Sequence, residues 1–114
     1  MPQEPLTIDD SVRADNGCRV LRLQGPLLIS NLFDFQSKVR ANTCQMLILD
    51  LTGVPYIDSA GLGSLVGAYV NHQKEGRSLA LVGVCERVRY SLRLLNVESF
   101  FKFFDSLAAA ESAA

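Results

Sequence analysis

The strongest constraint on the fold is the uninterrupted apolar run MLIL at positions 46–49, which continues into Asp50 and Leu51. A strand with one solvated face alternates apolar and polar residues, whereas a strand that is covered on both faces does not need to alternate. The run therefore predicts a strand in the middle of a sheet, with structure packed on both sides. Positions 78–84 contain a similar run and predict a second buried strand.

Three amphipathic segments predict helices before, between and after these strands. The first begins after Ser30 or Asn31, either of which could cap it, and has Asp34 in its first turn. The second spans about 60–74, and the third spans about 86–96. The positions expected to be buried are Leu32, Phe35 and Val39 in the first helix, Leu62, Leu65, Val66, Tyr69 and Val70 in the second, and Val88, Leu92 and Leu95 in the third.

Shorter elements flank this core. Positions 6–8 and 19–23 are typical of two strands, and the Asp-Asn-Gly sequence at 15–17 predicts a tight turn that joins them into an antiparallel hairpin. The Phe-rich segment 100–104 predicts a short final strand. Asp105 could cap a last, Ala-rich helix after it.

After the hairpin, strands and helices alternate along the chain. This order implies right-handed crossovers and a sheet that is parallel in its later part. The sequence therefore predicts a single α/β domain over residues 1–114, with a mixed sheet of four or five strands, an N-terminal antiparallel hairpin and about four helices. We expect the Ala-rich C-terminal end to fray.

Composition narrows the class of function. The formal net charge is −1 and no Lys/Arg cluster is longer than a pair, so a nucleic-acid partner is not expected. Cys18, Cys44 and Cys85 lack metal-ligand spacing and are expected to stay reduced. No signal-peptide pattern follows Met1, and no apolar run approaches the length of a membrane span. We expect a cytoplasmic protein with no metal, no cofactor and no direct membrane contact.

The most informative segment is YIDSAGLG at 56–63, which joins a buried strand region to the start of a helix. Unpaired N–H groups and the positive end of the helix dipole gather at such a point, and Asp58 or Ser59 can accept from those N–H groups. Gly61 and Gly63 each cost up to about 1 kcal/mol relative to alanine inside a helix. One interpretation is a capped helix whose glycines pack against a neighbouring strand. The other is an accessible Ser59 that serves as a phosphorylation switch.

The hexapeptide DSAGLG at 58–63, placed after a buried strand, resembles the signature of the STAS family, and specifically of the bacterial anti-sigma factor antagonists. The resemblance covers nearly the whole chain. The sequence GPL at 25–27 is similar to the family's Gly-x-Leu after the second strand, 47–51 is similar to its central strand, and 79–84 with the following helix is similar to its later elements.

The resemblance implies a regulatory cycle and assigns residues to it. The unphosphorylated protein would bind an anti-sigma factor that is also a serine kinase of the histidine-kinase-like ATPase type, and binding would release a sigma factor. The kinase would then phosphorylate Ser59, the complex would dissociate, and a serine phosphatase would reset the cycle. The implied partner-binding residues are Asp58, Ser59, Ala60, Gly61, Leu62 and Gly63.

One position departs from the family pattern. Many phosphorylatable members have an aspartate directly after the Gly-x-Leu, and this sequence has Leu28 there. Either the partner differs, or the domain binds without being phosphorylated, as a scaffold or as a STAS subunit associated with a transporter.

Other readings of the helix at 60–74 remain open. An enzyme with Ser59 as nucleophile would need a base, and His72 is expected on the polar, exposed side of the helix about three and a half turns away, so no enzymatic activity is expected. Ser64 is a second candidate for modification. The small-residue face of this helix would either pack tightly or form a docking groove; its members are Gly63, Ser64, Gly67, Ala68 and Asn71. Exposed rings in the 100–104 segment would mark a partner surface or a homodimer.

Overall fold

The computed structural model describes residues 5–13 and 17–113. Five strands form one sheet whose spatial order follows the chain: β1 (Thr7–Arg13), β2 (Cys18–Gln24), β3 (Met46–Gly53), β4 (Ser78–Val82) and β5 (Lys102–Phe104). The helices within this part of the chain are α1 (Phe33–Arg40), α2 (Ser59–Lys74), α3 (Glu86–Leu94) and α4 (Leu107–Ser112), with a 3-10 turn at Glu98–Phe100.

The pairing of the strands confirms the predicted mixed α/β sheet. Strands β1 and β2 are antiparallel, and β2, β3, β4 and β5 run parallel to one another. Two residues of the predicted hairpin turn, Asp15 and Asn16, lie outside the described residues. Gly17, the third, has a φ of +70°, a conformation that glycine adopts without strain.

The central strand is buried on both faces, as its apolar run predicts. Leu47, Leu49 and Leu51 face the main core, to which α1, α2 and α3 contribute. Met46 and Ile48 point the other way into a smaller cluster that Ala110 of α4 helps to close. Because side chains alternate across a strand, this double cover requires apolar residues at consecutive positions.

The buried face of α2 is rotated relative to the predicted stripe. Leu62 and Leu65 are buried as expected, but Val70 is 40% exposed. Gly61, Ala68 and His72 are buried in its place, at a spacing that forms one helical face. The helix therefore uses small residues to lie close to its neighbours, which an apolar stripe alone does not indicate.

His72 is not the surface histidine that its polar neighbours suggest, because its side chain is buried. Nδ1 lies 2.9 Å from the carbonyl oxygen of Ala68, and Nε2 lies 3.0 Å from Nδ2 of Asn42. The Asn42 amide is oriented by the backbone of Cys44, whose N–H donates to Oδ1 and whose carbonyl accepts from Nδ2. We therefore assign the proton of the imidazole to Nδ1, which leaves Nε2 to accept from Asn42. Burial is tolerated because both ring nitrogens are paired.

Two of the predicted helix caps are wrong. Leu32, and not Ser30 or Asn31, is the N-cap residue of α1, and its side chain makes no capping bond. Asn31 instead braces the preceding loop, where its side chain accepts from the N–H of Leu28. Ser106, and not Asp105, caps α4 by accepting from the N–H of Ala109.

Two elements end earlier than their patterns predict. Strand β4 ends at Val82 and not at Val84, because Gly83 takes a φ of +67°, which extended strands do not use. Helix α3 ends at Leu94, with Leu95 as its C-cap residue and Asn96 at a φ of +58°. Leu95 is consequently 58% exposed and does not join the buried face of α3.

Candidate functional site

The turn at 56–63 lies at the C-terminal ends of the parallel strands, beside the segment that follows β2. Leu27 and Ile57 form a parallel bridge. The N–H of Leu27 donates to the carbonyl of Tyr56 at 3.3 Å, and the N–H of Asp58 donates to the carbonyl of Leu27 at 3.2 Å. The turn is therefore fixed by main-chain bonds to a segment about thirty positions earlier in the sequence.

Asp58 connects two parts of this site through its carboxylate. It is the N-cap residue of α2, and its Oδ1 accepts from the N–H of Gly61 at 2.8 Å. Its other oxygen, Oδ2, accepts from the N–H of Ile29 at 3.0 Å. One side chain thus holds both the first turn of the helix and the loop between β2 and α1.

Backbone donors also set the charge state of Asp58. Partial burial acts to raise the pKa of the carboxyl, but the N–H groups of Ile29, Gly61, Ala60 and Asp58 itself act in the opposite direction. The donors prevail, so the pKa of Asp58 lies below its usual range. A carboxylate that is ionised and held at both oxygens gives the turn a fixed negative charge.

Ser59 is the first residue of α2, and its side chain is exposed. A phosphate on its oxygen would lie close to the N–H groups of the first helical turn, where the helix dipole favours negative charge. Because Ser59 is exposed, such a group would extend into solvent and displace no buried residue. The geometry therefore permits modification of a folded domain.

The two glycines of the turn have different roles. A Cβ on Gly61 would lie 2.2 Å from the carbonyl oxygen of Leu27, so a side chain there is sterically excluded. A Cβ on Gly63 would meet no atom within 4 Å, and Gly63 is exposed. Tight packing against a neighbouring segment, one of the two interpretations of the sequence, therefore explains Gly61 but does not explain Gly63.

Exposed apolar side chains flank Ser59 on two sides. A cleft of about 380 Å³ separates the start of α2 from the end of α3, and its lining residues are Ile57, Asp58, Ser59, Leu62, Ser91, Leu94 and Leu95. Leu94 is 63% exposed there. In the β2–α1 loop, Ile29, whose N–H donates to Asp58, is 75% exposed. Phe33, at the start of α1, is equally exposed.

The sequence analysis did not single out Ile29, Phe33 or Leu94. Phe33 carries a recognisable signal, because it is a large apolar residue outside the buried stripe that Phe35 and Val39 define on α1. Leu94 carries the same signal, because it lies outside the stripe predicted for the third helix. Ile29 carries no comparable pattern, since its exposure depends on where the loop comes to lie.

The small-residue face of α2 forms a second, smaller groove against α1, with a volume of about 200 Å³. Ser64 lies in it half-buried. Its hydroxyl donates to the carbonyl of Ala60 at 3.0 Å and accepts from Nε2 of Gln36 at 3.1 Å. These bonds give Ser64 a packing role, which distinguishes it from the exposed Ser59.

The positions of Ser59 and His72 exclude a serine–histidine pair. The two residues are at opposite ends of α2, about 20 Å apart along an axis that rises 1.5 Å per residue. His72 also directs its ring nitrogens to Ala68 and Asn42. This histidine therefore cannot serve as a base for Ser59.

The fold and site define a small α/β domain whose exposed serine turn adjoins an apolar cleft. The chain belongs to the STAS family, because the family model described as the STAS domain matches residues 11–110. This match confirms the resemblance inferred from the DSAGLG turn. Within residues 5–13 and 17–113, no helix has both the length and the apolar character that a bilayer crossing requires.

Several solved structures share this fold. An anti-sigma factor antagonist from Mycobacterium paratuberculosis is 20% identical with a TM-score of 0.80, and the alignment covers 95% of this chain and 92% of that one. A Thermotoga maritima protein assigned as an anti-sigma factor antagonist is 25% identical with a TM-score of 0.77, over 93% and 92% of the two chains. A sulfate transporter family protein from Wolinella succinogenes is 23% identical with a TM-score of 0.71, over 90% and 87%.

Proposed function

We propose that the protein is an anti-sigma factor antagonist whose binding is controlled by phosphorylation of Ser59. The unphosphorylated form binds an anti-sigma factor that is also a serine kinase, and so releases a sigma factor. The kinase transfers the γ-phosphoryl group of ATP to Oγ of Ser59, a base of the kinase takes the hydroxyl proton, and ADP leaves. The observation that supports this most directly is the exposed side chain of Ser59 at the first position of α2.

The electrostatics of the turn favour a switch that acts on binding and not on folding. A phosphoserine carries about −1.5 to −2 charges at neutral pH, and here it would stand beside the ionised Asp58. Inside the free domain, solvent and the helix dipole stabilise this charge. Under a docked partner the same charge would lose its water and would repel acidic groups, so the complex would weaken while the domain stays folded.

The same proposal assigns the remaining partners. A serine phosphatase hydrolyses the phosphoserine and restores binding, and the regulation of transcription is indirect because the contact is between proteins. The net charge of −1 agrees with a protein that does not bind nucleic acid. All these partners act in the cytoplasm, and the protein itself catalyses no reaction.

A binding experiment tests the switch. Purified ATPase-type anti-sigma factors from the same organism are titrated with wild type, Ser59→Asp and Ser59→Ala. We expect Ser59→Asp to weaken binding about 100-fold, which is the loss expected when a charge is buried without a partner at an interface. Ser59→Ala should bind like wild type and take up no phosphate from ATP.

Ser112→Asp is the matched control, because Ser112 is an exposed serine at the end of α4, which packs on the other face of the sheet. It adds the same charge away from the turn and should bind like wild type. Equal affinity of wild type and Ser59→Asp would contradict the proposed switch.

Leu28 favours a second candidate function. At the position where many phosphorylatable relatives have an aspartate, this chain has a half-buried leucine that offers no charge to a kinase. A STAS domain that acts without phosphorylation, as a scaffold or beside a transporter, fits this feature. Intact-mass measurement of the native protein, with site mapping, separates the two candidates: phosphate on Ser59 supports the switch, and its absence while the cognate kinase is active supports the scaffold.

A further inference from the structure

The β2–α1 loop presents an apolar side chain on a well-braced backbone. The N–H of Ile29 donates to Asp58, and the N–H of Leu28 donates to Oδ1 of Asn31 at 2.9 Å. Nδ2 of Asn31 donates to the carbonyl of Pro26 at 2.9 Å, and the N–H of Asn31 donates to the carbonyl of Leu28 at 3.0 Å. Ile29 is nevertheless 75% exposed. A loop that is fixed in this way loses little conformational entropy when a partner covers it.

Across the turn, the cleft beside Ser59 has its own apolar wall. Leu94 and Leu95 are 63% and 58% exposed, and both line the cleft with Ser59. Large apolar residues scattered singly on a surface are ordinary, but several around one site mark an interaction surface. Here they flank the residue whose modification is proposed to control binding.

The charges around the cleft decide what kind of partner fits it. Of the described residues that line the cleft, Asp58 alone is ionisable, and both of its carboxylate oxygens already accept from backbone N–H groups. A partner could therefore form at most one ion pair in this cleft, with a carboxylate that the backbone N–H groups already hold in place. The rest of the complementary surface is apolar.

We infer that the anti-sigma partner docks by placing apolar side chains against Ile29 on one side of Ser59 and against Leu94 and Leu95 on the other, and that these contacts, not ion pairs, supply most of the affinity. This inference rests on the proposed function and adds the chemistry of the partner's surface. Ser59 then lies between two desolvated apolar contacts, which is where a phosphate charge would have its largest effect.

The test uses Ile29→Ser and Leu94→Ser, which change exposed side chains and should leave the fold intact. Each should weaken binding to the purified ATPase-type anti-sigma factor about tenfold, as the truncation of a central interface residue does. The affinity of wild type should change less than about threefold between about 0.05 M and about 0.5 M salt, because ion pairs at an exposed interface are screened over this range. Val12→Ser is the control, because Val12 is 60% exposed on the edge strand β1 and should bind like wild type.

Three outcomes would overturn the inference. If Ile29→Ser and Leu94→Ser bind like wild type while Ser59→Asp still blocks binding, the apolar surface is wrong and the proposed function stands. If wild type binds none of the anti-sigma factors, both fail. If wild type is a dimer in gel filtration and Ile29→Ser is a monomer, the surface takes a second copy of this chain and not the anti-sigma factor.

Discussion

At the carboxyl end of α2, His72 is buried and hydrogen-bonded to Asn42. Arg77 makes hydrogen bonds to the backbone of both residues. Its backbone N–H donates to the carbonyl of His72 at 2.8 Å, and its guanidinium donates to the carbonyl of Asn42 at 2.9 Å. At the amino end of the helix, Asp58 is equally well bonded, but the next residue, Ser59, is exposed.

The two ends of α2 therefore use polar residues in different ways. At the carboxyl end, polar side chains complete internal hydrogen bonds, so that changing one leaves a buried group without a partner. At the amino end, the contacts of Asp58 and Gly61 hold the turn in place, and a substitution of Ser59 leaves those contacts intact. Substitutions at the two ends should therefore separate the effects on stability from the effects on binding.

Gly61→Ala should have the largest effect on stability. Its Cβ would overlap the carbonyl of Leu27, a backbone atom that cannot move without shifting the bridge to Ile57. We expect the free energy of unfolding to fall by about 3 kcal/mol. Urea denaturation measures this free energy, with Gly63→Ala as the control. The control should raise stability by about 0.5–1 kcal/mol, because the Cβ added at Gly63 meets open space. If Gly61→Ala and Gly63→Ala change the free energy of unfolding equally, the close approach of Gly61 to Leu27 does not stabilise the amino end of α2.

His72→Ala tests the carboxyl end. It removes the acceptor for Asn42 and leaves a cavity, and we expect a loss of about 2–3 kcal/mol in the free energy of unfolding. Ser59→Ala, measured beside it, should change stability by no more than about 0.5 kcal/mol. If the two alanine variants are equally stable, the contrast between the two ends of the helix is wrong.

Asp58→Asn should have a smaller effect, about 1 kcal/mol at neutral pH, because asparagine can still cap the helix but its amide cannot accept from both Gly61 and Ile29. The pKa of Asp58 is lowered in the folded protein, so its carboxylate stabilises the fold above the usual pKa of an unfolded aspartate. That contribution disappears as the pH falls from about 4 through the lower, folded-state pKa.

Denaturation at a series of pH values checks this prediction. The difference in stability between wild type and Asp58→Asn should shrink as the pH falls below about 4. Taking the difference removes the contribution of Asp10, whose pKa is also lowered, first by its hydrogen bond to Arg19. A difference that stays constant down to strongly acidic pH would contradict a stabilising carboxylate at this position.

The parts of the fold that the sequence predicts correctly are those that depend on local patterns. The apolar run of β3 and the helix after Ser59 depend on neighbouring residues, and both are found where expected. The burial of His72 is different, because its partner Asn42 is thirty positions away. The polar neighbours of His72 in the sequence predicted that it would be exposed. It is buried because it bonds to a residue that is distant in the sequence.

The candidate site shows the same limit. The sequence identified Asp58 and Ser59 as the two candidates for the cap, because the open N–H groups belong to the next helical turn, and Asp58 is the residue that caps it. It did not identify the bond from Ile29 to the same carboxylate, since that loop meets the turn only after the strands have paired. The exposed apolar residues around Ser59 follow from the same meeting of distant segments, so single-sequence patterns could not define that surface.

The strand order of the sheet has a consequence for synthesis on the ribosome. Each strand pairs with the one translated immediately before it, so the sheet can grow from a single edge and no strand has to insert between two that are already formed. The segment around Leu27, which seats the serine turn, leaves the exit tunnel before that turn does. The segment that anchors the turn of Ser59 is thus available while the second half of the polypeptide is still being made.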